Sequence, residues 1–439
     1  LKISSYVPEG FIPLDNSAII YPPTEARFNA NTFRVSMDLD VPVDTVLLSQ
    51  ALDEVLDRLP YFKVALHEGF FWYYLTPCDA PVRVFPESSY PCGRLDRKGT
   101  GGYLFKVFCS ERRIAIEFFH ALTDGTGGMV FLKMLVGRYL QLAFGTDAQC
   151  PDVPRLSDAV EPDEFSDPFQ GLYDPEVSST PNEKSAFHLS SDKPLTDAVR
   201  VISGTISACE LKKLAKAAGA TVTEYLAAVL IDAIRRLQAD RVPRRRFRKT
   251  VGLSIPVNLR NVFGARTMRN FTLFATVGIE PSHGEYSLDE IVSIVHHQLK
   301  LKVERRALIS QMKRNVGGER SRFLRFVPNI VKRPLFKLLS DSLGDDLYSS
   351  VLSNLGMIDI PQSMAAFVRR CDFFLSPSKL NKISCAVIGF KDDIMVNFTS
   401  FLADDAEVER LFFTDLVRRG LHVKIQTNRT VGTVGKERA

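Results

Sequence analysis

Tryptophan occurs once and histidine only seven times in this 439-residue chain. The seven cysteines (Cys78, Cys92, Cys109, Cys150, Cys209, Cys371 and Cys385) form no Cys-x-x-Cys pair. That removes zinc ribbons and dithiol redox motifs, and no metal site is expected. An odd, widely spaced set reads as free thiols in a reducing compartment. Long apolar runs are also missing. The most apolar long window, Met129 to Phe144, is broken by Lys133, Arg138 and Gln141. It is too short and too polar to span a bilayer, so membrane contact is not expected. The N-terminus, Leu1-Lys2-Ile3-Ser4-Ser5, soon meets Pro8 and Pro13 and lacks the apolar stretch of a signal peptide. A cytoplasmic protein is expected. The charge excess is small, +5; it suits an anionic ligand such as a phosphate and gives no reason to expect nucleic acid.

What the chain does have is an ordinary globular balance, 45% apolar and 24% charged residues, so a packed core is expected, and the length points to more than one folding unit. Thr32 to Asp40 alternates apolar and polar residues, the pattern of a half-buried strand. Asp44 can cap a helix whose apolar positions, Leu48, Ala51, Leu52, Val55, Leu56 and Leu59, share one face. Strands are expected at Phe62–His67, Phe70–Leu75, Tyr103–Cys109 and Arg113–Phe119, then a helix from about Thr126 to Phe144. Between Cys150 and Pro194, Pro, Asp, Ser and Glu dominate, with Phe165, Phe169 and Tyr173 available to anchor a crossing segment. Beyond it, capping boxes at Ser207-x-x-Glu210, Thr221-x-x-Glu224 and Ser287-x-x-Glu290 open three helices. Strands are expected at Thr250–Val257, Phe271–Glu280, Tyr348–Ser353, Ile383–Phe390 and Ile394–Phe401, and a last strand at Leu421–Gln426. The division expected is residues 1–150, a linker 151–194, and 195–439, part of which can cross back to the first unit. Each unit mixes strands with covering helices, and a cleft between two such units is where ligands concentrate.

The sharpest local feature is Phe119-His120-Ala121-Leu122-Thr123-Asp124-Gly125, between a strand and a helix and followed by Thr126-Gly127-Gly128. A histidine at a strand end can reach a cleft, and imidazole is the usual general base near neutral pH. The aspartate four residues on can brace the loop, and the glycines allow close approach of a second segment. A loop histidine that merely packs has the same local pattern.

This motif resembles the His-x-x-x-Asp-Gly of the chloramphenicol acetyltransferase-like superfamily, which includes alcohol acetyltransferases, plant and polyketide-associated acyltransferases, and peptide-synthetase condensation domains. The resemblance continues at Thr221-Val222-Thr223-Glu224-Tyr225-Leu226-Ala227-Ala228, at Ser254-Ile255-Pro256-Val257-Asn258-Leu259-Arg260 with Asn270-Phe271, and at Ser353-Asn354-Leu355-Gly356, which is similar to a strand end of the alcohol acetyltransferase-like branch. It implies an α/β (α+β) fold of two lobes, each a mixed sheet covered by helices, with a tunnel between them. It further implies an acyl-coenzyme A donor as co-substrate, no permanently bound cofactor, and a small alcohol or amine as acceptor. His120 would be the base, with no acyl-enzyme; Asp124 and Gly125 would be structural, and Arg260 would pair with Asp124. A condensation-type domain drawing on a carrier protein is the close alternative, and a catalytically silent binding protein of the same fold is the alternative from another class.

The sequence departs from the family in two places. Phe119 stands where many members carry a first histidine, so a more apolar wall beside the base is expected. The Asp-Phe-Gly-Trp-Gly motif of the plant enzymes is absent, which sets that branch aside. Ser353 and Asn354 can donate to a tetrahedral oxyanion, or simply satisfy a turn. Arg244, Arg245 and Arg246 can meet phosphates, though a solvated loop is the commoner meaning of such a run. The basic amphipathic stretch Arg320 to Leu339 is expected to pack on the second lobe, contact with a membrane or a lipid-like acyl chain being the alternative. His296-His297, with no Asp-Gly following, is expected to lie on a helix.

Overall fold

The computed structural model describes residues 10–172, 174, 176–177, 184–190, 194–242, 249–320, 327–332, 345–402 and 405–429. Two large sheets organise it. The first has five strands, in the order Val368–Leu375, Thr32–Leu39, Arg113–Phe119, Phe105–Cys109 and Val84–Pro86, antiparallel except for the last pair. The second has seven, in the order Thr272–Ile279, Val251–Asn258, Ser350–Ile358, Ile383–Phe390, Asp393–Ser400, Arg200–Ser207 and Val423–Thr427. Ser350–Ile358 runs parallel to both of its neighbours. A third, small sheet joins Ile12–Pro13, Tyr73–Pro77 and Val64–Glu68. Tyr73–Pro77 begins later than the pattern suggested, because Gly69 N–H donates to Trp72 O and the turn takes up residues 69–72.

The helices form where periodicity and caps coincide. Asp44 accepts from the N–H groups of Val46 and Leu47 and opens Thr45–Arg58, whose apolar face is buried. With Gly125–Phe144 it covers one face of the first sheet. Thr221 and Glu224 exchange both bonds of a capping box at the start of Val222–Arg241, the most buried helix of the second core. Ser287 and Glu290 do the same for Leu288–Lys302. Among the described residues no single helix is long and apolar enough to cross a membrane.

Thr32–Leu39 is buried at every position, on the polar face as well as the apolar one. The polar residues there are paired. Arg34 meets Glu117 at 3.2 Å and also Glu87, and Arg113 grips Asp38. Their edge is closed by Val368–Leu375, a strand with little alternation that is contributed by the second half of the chain. Asn397 of the second sheet donates to Asp372 Oδ1 at 3.1 Å and to Phe373 O at 3.0 Å, so the two sheets are joined by direct hydrogen bonds. The crossing segment is also anchored. Glu164 accepts from Arg58 at 2.7 and 2.9 Å and from Tyr61 Oη at 2.7 Å, while its carbonyl accepts from Met268 N–H at 2.7 Å. Phe169 packs edge-on against Phe271. Tyr173 lies outside the described residues. All seven cysteines are free.

Candidate active site

Arg113–Phe119 is an interior strand, buried from Ile114 onward. His120 is the residue after it. Its N–H donates to Asn31 O at 2.8 Å, which ends the sheet ladder, and Leu122 N–H turns back to Phe119 O at 2.9 Å. Asp124 then caps Gly125–Phe144, accepting from Gly127 N–H at 3.1 Å. Gly127 and Gly128 permit a crowded approach. A Cβ on the first would overlap Thr123 Oγ1 and Met268 O, and on the second the ring of Phe33. Thr123 Oγ1 donates to Met268 O at 2.6 Å, so the loop 267–270 of the second lobe lies directly on the histidine turn.

Asp124 holds the two lobes together at this point. Its Oδ2 accepts from Arg260 at 2.8 Å, from Phe271 N–H at 3.0 Å and from Thr272 Oγ1 at 3.0 Å. Arg260 spends its other donors on the carbonyls of Thr267 (2.8 Å) and Arg269 (2.6 Å). Burial alone pushes the Asp124 carboxyl up. The Arg260 guanidinium and the backbone donors outweigh it and hold the group below its ordinary value. Asp124 has no contact with His120 among these hydrogen bonds; it sets the loop in which His120 sits.

His120 Nδ1 lies 3.0 Å from Asn270 Oδ1. The orientation of the Asn270 amide follows from its other partners. Its Nδ2 donates to His120 O at 2.9 Å and to Asp15 Oδ2 at 3.1 Å; the carbonyl can only accept, as can the carboxylate when ionised. The remaining oxygen therefore faces the ring, so Nδ1 carries the proton, and a neutral imidazole keeps its lone pair on Nε2. Burial lowers the His120 pKa below the usual imidazole value, with Asn270 and Asp124 partly opposing. The Tyr21 ring stacks on His120 at 4.6 Å and the Phe33 ring meets it edge-on at 5.1 Å. These two rings form the apolar wall. Phe119 faces the opposite way into the first core, with Arg97 over its ring at 4.7 Å.

Gly125 is met by the second lobe as well. A Cβ there would collide with the side chain of Leu355, at the bulge of Ser350–Ile358. Ser353 and Asn354 directly precede it. Ser353 is buried. The Asn354 amide is occupied, donating to Thr223 Oγ1 at 3.0 Å and accepting from Gly356 N–H at 2.8 Å. Arg244, Arg245 and Arg246 lie outside the described residues, as does most of 320–339. The described part, 327–332, docks on the first lobe: Asn329 N–H and Nδ2 bond the carbonyls of Phe70 and Gly69 at 2.8 Å, and Lys332 that of Phe71 at 2.8 Å. Packing of the whole stretch on the second lobe was expected; these contacts run to the other lobe. His296 and His297 lie on Leu288–Lys302, the first against Glu224 at 3.2 Å and the second against Ser293 O at 2.7 Å. Asp15, Tyr21 and the orienting contact of Asn270 escape sequence reasoning. They sit 105, 99 and 150 residues from His120 in the chain, and only the Asn270-Phe271 dipeptide carried a pattern.

No family model matches the chain, and no curated protein matches it. Solved structures do. Polyketide synthase associated protein 5 from Mycobacterium tuberculosis superposes over 92% of this chain and 96% of its own, with a TM-score of 0.56 at 13% identity. A mutant starter condensation domain of rhizomide synthetase RzmA, in complex with C8-CoA, covers 94% of this chain and 95% of its own (TM-score 0.58, 13% identity). TRI101 of F. graminearum, complexed with coenzyme A and deoxynivalenol, covers 94% and 99% (TM-score 0.57, 13% identity). The chain shares the two-lobed fold of these structures. At such identities the likeness establishes the fold and leaves activity and substrates open. Within that fold His120 ends an interior strand of the first sheet and Asn270 reaches it from the second lobe.

Proposed function

We propose that the protein is an acyltransferase that moves an acyl group from a coenzyme A thioester to a hydroxyl or amine, with His120 as general base. The observation that carries this reading is the Asn270 contact, which leaves Nε2 as the proton acceptor at a lobe junction. Donor and acceptor meet at His120 between the lobes. The acceptor's proton moves to Nε2 as its oxygen or nitrogen forms a bond to the thioester carbonyl carbon. The tetrahedral intermediate then breaks its C–S bond, and the imidazolium returns the proton to the leaving thiolate. No acyl-enzyme forms, because a thiolate leaves readily. Ser353, one pleat before the residue touching Gly125, is the hydroxyl we assign to the oxyanion. Ser353→Ala is expected to lower kcat by about tenfold, the value of one net hydrogen bond, with KM for both substrates retained; an unchanged kcat removes Ser353 from the role.

The experiment that tests the reading is thiol release over a panel of acyl-coenzyme A donors with alcohol and amine acceptors. Turnover abolished in His120→Ala is the expected result. Failure of every coenzyme A thioester alongside turnover of a carrier-bound one would assign the protein to the condensation type. Acyl-coenzyme A binding without turnover from either source would leave the silent binding protein. Since burial lowers the His120 pKa, the base form persists below the ordinary imidazole value. The acid limb of kcat/KM is therefore expected below pH ~6.5. A limb at or above that value contradicts His120 as the free-enzyme base.

A further inference from the structure

We propose that Asp15 is a positioning residue for His120, acting through Asn270 to hold the imidazole in its Nδ1–H form. Asp15 follows the short strand Ile12–Pro13 and is fully buried. Its Oδ1 accepts from Ala18 N–H at 2.8 Å. Its Oδ2 accepts from Asn270 Nδ2 at 3.1 Å and faces Asn270 N–H at 3.4 Å and Arg269 Nε at 3.5 Å. A half-turn of the Asn270 amide would present NH2 to the ring and move the histidine proton to Nε2, and the base would then point the wrong way. With Asp15 in place, that half-turn sets the amide oxygen against the carboxylate and against His120 O. Both contacts are repulsive, so the productive orientation is the only one without oxygen–oxygen conflict.

The charge on Asp15 is not explained by stability. Burial is the largest influence on its carboxyl and, with Asp167 adding and Arg269 opposing, pushes it up to about 6. A folded-state value raised above the unfolded one gives stability that is complete below the unfolded pKa and lost as pH rises through about 6. At neutral pH the ionised group therefore burdens the fold, while it serves the amide. Arg269, which also donates to Pro13 O at 2.6 Å and lies over the Phe165 ring, keeps this carboxylate next to the site. Asp167 holds the next residue by accepting from Asn16 N–H at 3.1 Å.

The test reads the full chain labelled with 15N-histidine, the His120 signals being assigned by their loss in His120→Ala. Wild type is expected to show the Nδ1–H form. Asp15→Asn is expected to give a mixture of tautomers, a cooperative unfolding transition, and a kcat lower by on the order of tenfold, as for outer partners that orient an imidazole. Both KM values should stay put. Asp15→Ser, which keeps a short acceptor for Ala18 N–H but withdraws charge from Asn270, should shift the tautomer in the same way. Wild-type tautomer in either folded variant overturns the proposal. Loss of fold in both also overturns it, by making the residue structural. The kcat arm rests on the acyl-transfer reading. The tautomer is measured without substrate, so failure of one is distinguishable from failure of the other.

Discussion

His120→Ala is expected to fold and to lose turnover by on the order of a hundredfold or more, the usual weight of a positioned general base. Among the described residues the imidazole has no substitute beside it. Tyr21 and Phe33 offer rings, the Tyr21 hydroxyl is held well above its ordinary pKa by burial, and Asn270 has no proton acceptor of useful basicity. Asp124 is committed to Arg260, Phe271, Thr272 and Gly127. Folding should survive because His120 is a strand-end residue, half-buried rather than central to either core. Its removal leaves Asn270 Oδ1 without its donor, a loss of about 1–3 kcal/mol if no water replaces it. Single-turnover thiol release separates the chemical step from binding, and near-native turnover in a folded variant would remove the mechanism.

The second large effect is expected at the inter-lobe ion pair. Arg260→Met should destabilise the protein by roughly 3–5 kcal/mol, because the Asp124 carboxylate stays buried with its cation gone. The side chains are only 4% and 10% exposed for Asp124 and Arg260, so little solvent screening intervenes. The pH dependence supplies a sign. In wild type the folded carboxyl titrates below its unfolded value, so the pair's contribution is present above the unfolded pKa and lost only as pH falls through the lower, folded one. In Arg260→Met burial is no longer opposed by the guanidinium, the carboxyl rises, and the penalty should shrink as mild acid protonates it. Denaturant unfolding at neutral and mildly acid pH measures both. A variant as stable as wild type at neutral pH would show that the pair carries no energy. Activity should fall with stability, since Arg260 also binds the carbonyls of Thr267 and Arg269, which flank the segment leading to Asn270.

The single face of Thr45–Arg58, the capping boxes of Val222–Arg241 and Leu288–Lys302, and the strand–His120–helix order were all legible in the amino-acid sequence, because each depends on residues three or four positions apart or on period two. The ordered set of motifs from His120 to Gly356 was enough to indicate the two-lobed fold that the solved structures share. Val368–Leu375 was not legible as a strand of the first sheet, since its Val-Arg-Arg-Cys-Asp-Phe-Phe-Leu run has little alternation and its partner, Thr32–Leu39, lies more than 300 residues earlier. The paired burial of Arg34, Glu117, Asp38 and Arg113 was hidden for the same reason: alternation marks a polar face but not whether another layer covers it. Which imidazole nitrogen carries the proton was beyond any local pattern. That depends on an asparagine 150 residues away, whose amide is turned by the His120 carbonyl and by Asp15. Sequence periodicity therefore determined the elements and the place of the histidine between them. Only the tertiary structure decided what faces it, because hydrogen-bond partners across lobes are chosen by packing and not by spacing along the chain.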